Sequence, residues 1–188
     1  MSDPYTGQAH GGGDREALFD VLYNAHHQTL HAYFLGRTGD ADLALDLLQD
    51  CFLRAWRSLA SVQDLSDERR RAWLFSVARN LVIDEHRRRA TRNAVGDALA
   101  REASVADSTA AGAESQAEER ERRRALGLAI RRLPEELRTV LVLQVVGERN
   151  STEIGELLDR PAGTVRYQLA EARRRLAQDL RLMEVRSA

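Results

Sequence analysis

Arginine, tyrosine, glutamine and threonine crowd one short stretch, and together they could make directional contacts with a polar partner. In NSTEIGELLDRPAGTVRYQLAEARRRLAQDL, residues 150–180, a helical turn of about 100° per residue puts Tyr167, Ala170, Glu171, Arg174 and Gln178 on one face. Thr164, Arg166, Gln168, Arg173 and Arg175 flank that face. Val165, Leu169, Ala172, Leu176 and Leu180 recur at spacings of three and four, and so form an apolar stripe on the other side. Such a helix suits a DNA major groove, where arginine reads guanine bidentately, glutamine reads adenine and N-terminal residues reach base edges. A solvated amphipathic helix of an all-helical domain would show the same periodicity. What precedes the helix favours DNA.

The preceding segment reads as a short helix and a tight turn. Ser151 or Thr152 can cap it, with Glu153 and Glu156 well placed in its first turn. Ile154, Leu157 and Leu158 give it an apolar face, and Asp159-Arg160-Pro161 ends it, since proline disfavours helical geometry at and before its position. Gly163 allows close approach, and Thr164 can cap the second helix or donate to phosphate. The order is helix-turn-helix.

Two further helices carry chemistry on one face. DADLALDLLQDCFLRAWRS (40–58) has a core face of Ala44, Leu48, Cys51, Phe52 and Ala55. Its polar face holds Asp42, Asp46, Gln49, Asp50 and Arg57, with Leu53 in the middle. A leucine in that setting is either a single exposed apolar residue or the anchor for a partner. AWLFSVARNLVIDEHRRR (72–89) turns Leu74, Val77, Ala78 and Leu81 inward, and Ser76, Arg79, Asn80, Ile83 and Arg87 outward. An arginine–asparagine face ending in three arginines can hold phosphates and base edges; a basic helix C-terminus favoured by the dipole is the simpler reading.

The whole chain limits what else is possible. Its 188 residues fit one or two domains. No run of about 18 apolar residues predicts membrane insertion, and the first residues lack the basic start and apolar core of a signal peptide, so the cytoplasm is the expected compartment. Cys51, the only cysteine, permits no internal disulfide and reads as a buried thiol. The net charge is −1 and all 28 basic residues are arginine, a bias that GC-rich coding explains. The arginines cluster at 69–71, 87–89, 122–124 and 173–175, and local patches rather than total charge govern phosphate contact. No glycine-rich phosphate loop, nucleophile motif or cysteine–histidine spacing is present, so no catalytic group and no cofactor is expected. His27 and His31 share a helix face without a third ligand, and no metal site is expected.

Between these elements the chain organises simply. Residues 1–13 are glycine-rich and expected to be disordered. A helical pattern runs from Asp14 through Phe19, Tyr23, Leu30 and Phe34 to a break at 36–39, and 59–71 reads as a polar loop. Residues 91–119 are rich in alanine, serine and acid, and read as a flexible linker, with fragments of helix at most. Order returns at Arg120. Pro134 opens one helix, Gly147 ends it, and the last domain has about four helices. No strand alternation appears, so the fold class is all-α, two small helical domains joined by a linker.

DLLQDCFLRAW (46–56), AWLFSVARNLVIDEHRRR and the run LPEELRTVLVL, STEIGELL, PAGTVRYQLAEARRRL together resemble the sigma-70 family of bacterial transcription initiation factors. The resemblance is to its small extracytoplasmic-function group, and it covers residues 14–180. It implies a region 2-like bundle over 14–90, a region 4-like helix-turn-helix domain over 120–182, and tails at 1–13 and 183–188. The implied partners are core RNA polymerase, through its β′ clamp helices and β flap, promoter DNA, and an anti-sigma protein. Asp46, Gln49 and Leu53 would contact polymerase, with Phe52 and Trp56 supporting the core. Arg79, Asn80, Ile83 and Arg87 would face the −10 element, and the loop 61–68 would capture a flipped base. Thr164, Arg166, Tyr167, Gln168, Glu171 and Arg174 would face the −35 element. The chain departs from the family at Tyr167-Gln168 and Ala170-Glu171, where serine–arginine and histidine–arginine are frequent, and at Gly155, usually alanine. Glu171 would repel phosphate but could accept from cytosine. A DNA-binding regulator working without polymerase and a helical protein adaptor are the alternative readings.

Overall fold

The computed structural model describes residues 11–94 and 113–187, and every regular element among them is helical. The order is α1 (Gly11–Thr38), α2 (Ala41–Arg57), a single 3-10 turn (Leu59–Ser61), α3 (Asp67–Ala94), α4 (Ala113–Arg132), α5 (Glu135–Val145), α6 (Ser151–Leu158) and α7 (Ala162–Ser187). Both expected helical groups are present: α1 to α3 form one bundle, and α4 to α7 form the other.

Local chemistry sets the helix ends, in places differently from the sequence reading. Asp40 caps α2 by accepting from Leu43 N at 3.1 Å, as its position suggests. The expected break at 36–39 is narrower than that. α1 continues through Gly36, and the left-handed residue that ends it is Gly39, with φ of 67°. α3 starts at Asp67 rather than Ala72, because Asp67 and Glu68 favour a helix N-terminus and Arg70 ties back to Asp67 and to the Gln63 carbonyl. α6 is capped by Asn150, not by Ser151 or Thr152. The Asn150 carboxamide accepts from Thr152 N and Glu153 N at 2.9 and 3.1 Å, while the Glu153 carboxylate accepts from Asn150 N at 2.8 Å, a reciprocal capping box. The stretch read as a linker is helical at both of its ends, since α3 reaches Ala94 and α4 begins at Ala113; residues 1–10, 95–112 and 188 lie outside the described residues.

One buried cluster draws on both groups. Leu30, Tyr33 and Phe34 of α1, Cys51 and Phe52 of α2 and Leu74 and Leu81 of α3 belong to it, together with Val140 and Leu143 of α5, Ile154 of α6 and Val165 of α7. α5 lies antiparallel along α1, Thr139 against Gly36, Gly147 against Ala32, and Val146 beside Gln28. Gly36 is required here: a Cβ on it would stand 2.6 Å from the Thr139 Cα. A smaller cluster of Leu133, Leu137, Leu141 and Ala172 holds α7 to the rest of its own group.

Candidate nucleic-acid interface and docking groove

The turn of the helix-turn-helix is built on a backbone contact. α6 ends at Asp159 in the left-handed region (φ 55°), and Arg160 N donates to the Gly155 carbonyl at 2.8 Å. A Cβ at Gly155 would lie 2.5 Å from the Arg160 carbonyl oxygen. The departure from alanine at this position therefore fits the turn, and it is not merely a loss of helix propensity.

From that turn α7 buries Val165, Leu169 and Ala172, and presents Thr164, Arg166, Tyr167 and Arg174 to solvent. Tyr167, the one aromatic residue of this helix, is 72% exposed. Thr164 falls within the first turn, because the helix has already begun at Ala162, so it does not serve as the cap. Gln168 does not share the exposed face: it is 8% exposed, and its Nε2 donates to the Glu136 carboxylate at 3.5 Å while its Oε1 is without a partner. Four residues advance a helix by about 400°, so Gln168 lies only about 40° from Ala172, inside the buried stripe. Glu171 is engaged by arginines of its own helix. Its Oε2 accepts from Arg174 Nε at 2.8 Å, and its Oε1 from Arg174 Nη2 and Arg175 Nε at 2.7 Å each. These bonds from Arg175 and Arg174 hold its carboxyl below the usual range.

On α3, Arg79, Asn80, Ile83 and Arg87 are all exposed, with Ile83 at 39%. Arg87 is 3.9 Å from Asp84, and Glu85, buried beneath the same helix end, sits 3.2 Å from Arg89 and 3.9 Å from Arg88. The carboxylate thus spreads two of the three consecutive arginines around it.

On α2, Asp46, Gln49 and Leu53 stand together on the exposed face, and Leu53 is 52% exposed. Leu53 forms the rim of an open apolar groove of about 440 Å³, whose walls are Phe19 and Tyr23 of α1 and Leu48, Phe52 and Trp56 of α2. Phe52 is buried as expected, whereas Trp56 is only partly covered and lines the groove. Ring packing fixes the walls: Phe19 meets Trp56 edge-on at 5.2 Å, and Tyr23 tilts against Phe52 at 4.8 Å. Arg15 lies 4.7 Å over the Trp56 ring and donates to its carbonyl at 2.6 Å. The α1 wall was missed in the sequence; the i, i+4 spacing of Phe19 and Tyr23 was its only signal. Cys51, the residue before Phe52, is buried in the core with its thiol pushed up to about 12 by burial, which leaves it unreactive.

Among the described residues no group of three histidine, cysteine or carboxylate side chains could hold a metal, and no helix is long and apolar enough to cross a membrane.

A helix-turn-helix with an exposed arginine–tyrosine face, an arginine–asparagine helix and an apolar groove beside them describe a helical protein of the nucleic-acid-binding class. Comparison with known families agrees: residues 22–101 match Sigma-70 region 2 and residues 123–176 match Sigma-70, region 4. The chain belongs to the sigma-70 family, in its extracytoplasmic-function group. It is 46% identical over 80 residues to the ECF RNA polymerase sigma factor SigL of Mycobacterium tuberculosis, a match covering 43% of this chain and 45% of SigL. With the ECF RNA polymerase sigma factor SigW of Bacillus subtilis it shares 27% identity over 176 residues, 90% of this chain and 91% of SigW. Its fold is similar to that of the sigma factor RpoE from Bartonella quintana, solved in complex with the anti-sigma factor NepR, with a TM-score of 0.61 at 23% identity over 87% of this chain and 96% of that one.

Proposed function

We propose that the chain is a dissociable sigma factor that binds core RNA polymerase and directs it to promoters by reading a −10 and a −35 element. The observation that carries this reading is the joint presence, on one chain, of the α2 groove, the α3 basic face and the α7 reading face. Residues 14–90 dock on polymerase and treat the −10 element, and residues 120–182 read the −35 element. Leu53 enters the polymerase surface, with Asp46 and Gln49 beside it to receive basic and polar groups. Arg79, Asn80, Ile83 and Arg87 hold the −10 strand, and capture of an unstacked base by the segment 61–68, whose last two residues begin α3, offsets an unpairing cost of a few kcal/mol.

Thr164 and Arg166 contact phosphates and base edges near the start of α7, while Tyr167 and Arg174 extend the surface along it. Glu171 positions Arg174 and Arg175 rather than reading a base. Gln168 takes no part in readout. The protein itself performs no chemistry, works in the cytoplasm, and is open to control by a protein of the anti-sigma kind. The test is reconstitution: purified chain with core polymerase on fragmented genomic DNA should give transcripts from discrete start sites, and transcripts no more specific than those of core polymerase alone would overturn the reading.

A further inference from the structure

Trp56 closes one end of the apolar groove, and a residue of another helix decides how its ring stands. The indole belongs to the last turn of α2, one residue before the helix ends at Arg57. Phe19 meets it edge-on at 5.2 Å. Arg15, early in α1, lies 4.7 Å over the ring and donates from Nη2 to the Trp56 carbonyl at 2.6 Å. A cation against the face of an indole is attracted by the ring quadrupole. The carbonyl is one of the last four of α2, which lack a partner further along the helix. One guanidinium therefore holds both the backbone and the ring of the same residue.

Arg15 has no place in the core that packs α1. That packing runs through buried Leu22, Leu30, Tyr33 and Phe34, whereas Arg15 is exposed. The other walls of the groove have support of their own. Phe52 belongs to the main core cluster with Leu48 packed against it, and Phe19 stacks on Tyr23 at 6.3 Å and meets Phe52 edge-on at 6.0 Å. Trp56 packs only at the margin of the smaller cluster of Leu22, Leu59 and Val62. The Sigma-70 region 2 match begins at residue 22, so Arg15 and Phe19 both stand ahead of it. The first turns of α1 thus finish the groove from outside the matched segment.

We propose that Arg15 is a positioning residue of the polymerase-docking groove: it holds the Trp56 indole as the fixed end wall against which polymerase seats. This rests on the reading of the chain as a sigma factor. A large side chain that is free to change rotamer in the unbound protein must be ordered on docking, and that loss of freedom subtracts from affinity. Arg15 does the ordering in advance, through Trp56 and without touching polymerase itself. Its removal should weaken binding roughly two- to tenfold, the amount that ordering one such side chain is worth.

A double-mutant cycle on the full chain tests this, with core polymerase titrated into the parent, Arg15→Ala, Trp56→Ala and the pair. Arg15→Ala should weaken binding roughly two- to tenfold in the parent, but by less than about twofold once Trp56 is alanine. Arg15→Lys, which keeps a cation for the ring, should recover part of the loss, and Arg15→Gln less of it. Equal losses in both backgrounds overturn the proposal in favour of a direct contact between Arg15 and polymerase. Parental affinity in Arg15→Ala overturns it too and leaves the sigma-factor reading standing. A parent that does not bind polymerase overturns that reading and the proposal with it. A second measurement needs no polymerase. Trp56 and Trp73 are the two tryptophans, so a Trp73→Phe chain reports Trp56 alone. There Arg15→Ala should raise acrylamide quenching of the indole and lower its fluorescence anisotropy at unchanged helicity. Unaltered quenching and anisotropy overturn the proposal whatever the titration gives.

Discussion

Truncating Leu53 isolates the docking groove from everything else the chain does. Its side chain is 52% exposed on the rim of the apolar groove, so the free protein gains little from it. Full burial of a leucine contributes about 1.5–3 kcal/mol. A partner that covers the exposed half therefore draws about 0.8–1.5 kcal/mol from it, and Leu53→Ala should weaken polymerase binding roughly four- to twelvefold. Leu53→Asp would bring an unpaired carboxylate into the same groove and should weaken binding by more than about a hundredfold. Both variants should melt within about 0.5 kcal/mol of the parent, as surface substitutions do. Titration of a fluorescently labelled chain with core polymerase, beside a thermal melt, measures both quantities. Parental affinity in the aspartate variant would refute the argument, and so would a loss of binding that only follows a loss of folded protein.

Three other outcomes follow from the geometry. Asn150→Ala removes the acceptor of two backbone donors at the start of α6 and should cost about 1 kcal/mol, a fall in Tm of roughly 2–4 °C by calorimetry. Gln168→Met fills the same buried space without an unpartnered oxygen, so it should leave both Tm and promoter preference unaltered, whereas Arg166→Ala should change binding to −35 duplexes. His26, set where α1 meets α3 and α6, is lowered from 6.5 by burial, then by Arg71 of α3 and Arg149 after α5, against a smaller opposing pull from Asp67 of α3, with Glu153 of α6 lining the same pocket. The folded chain thus binds fewer protons at this site than the unfolded chain, and stability is lost as pH falls below about 6.5. His26→Gln should flatten the fall in Tm between about pH 7 and about pH 5.5, with His31, also lowered by burial, retaining part of the slope; an unchanged slope would contradict this.

The faces of α2 and α3 were legible in the sequence because each follows from one helical period acting within a single helix. Asp46, Gln49 and Leu53 on one side of α2, and Arg79, Asn80, Ile83 and Arg87 on one side of α3, needed nothing more. Gln168 sits at the edge of the α7 stripe, where its polarity points outward but its angle places it inside. Asn150 was passed over since three neighbouring residues all have cap-forming side chains, and only the backbone path decides which one turns inward. Gly36 looks in sequence like a helix breaker, whereas its missing Cβ serves the approach of α5. Arg138 and Gly36 stand about a hundred residues apart, so no local pattern could announce their contact. The groove was half legible for the same reason: its α2 wall has a period, but its α1 wall becomes a wall only once the helices pack.

Footprinting tests the central claim most directly. On a promoter mapped with this chain, the complex with core polymerase should protect two patches centred about 25 base pairs apart, with oxidant-reactive unpaired thymines in the downstream one. A single protected patch, formed equally well without polymerase and never accompanied by unpaired bases, would contradict the account.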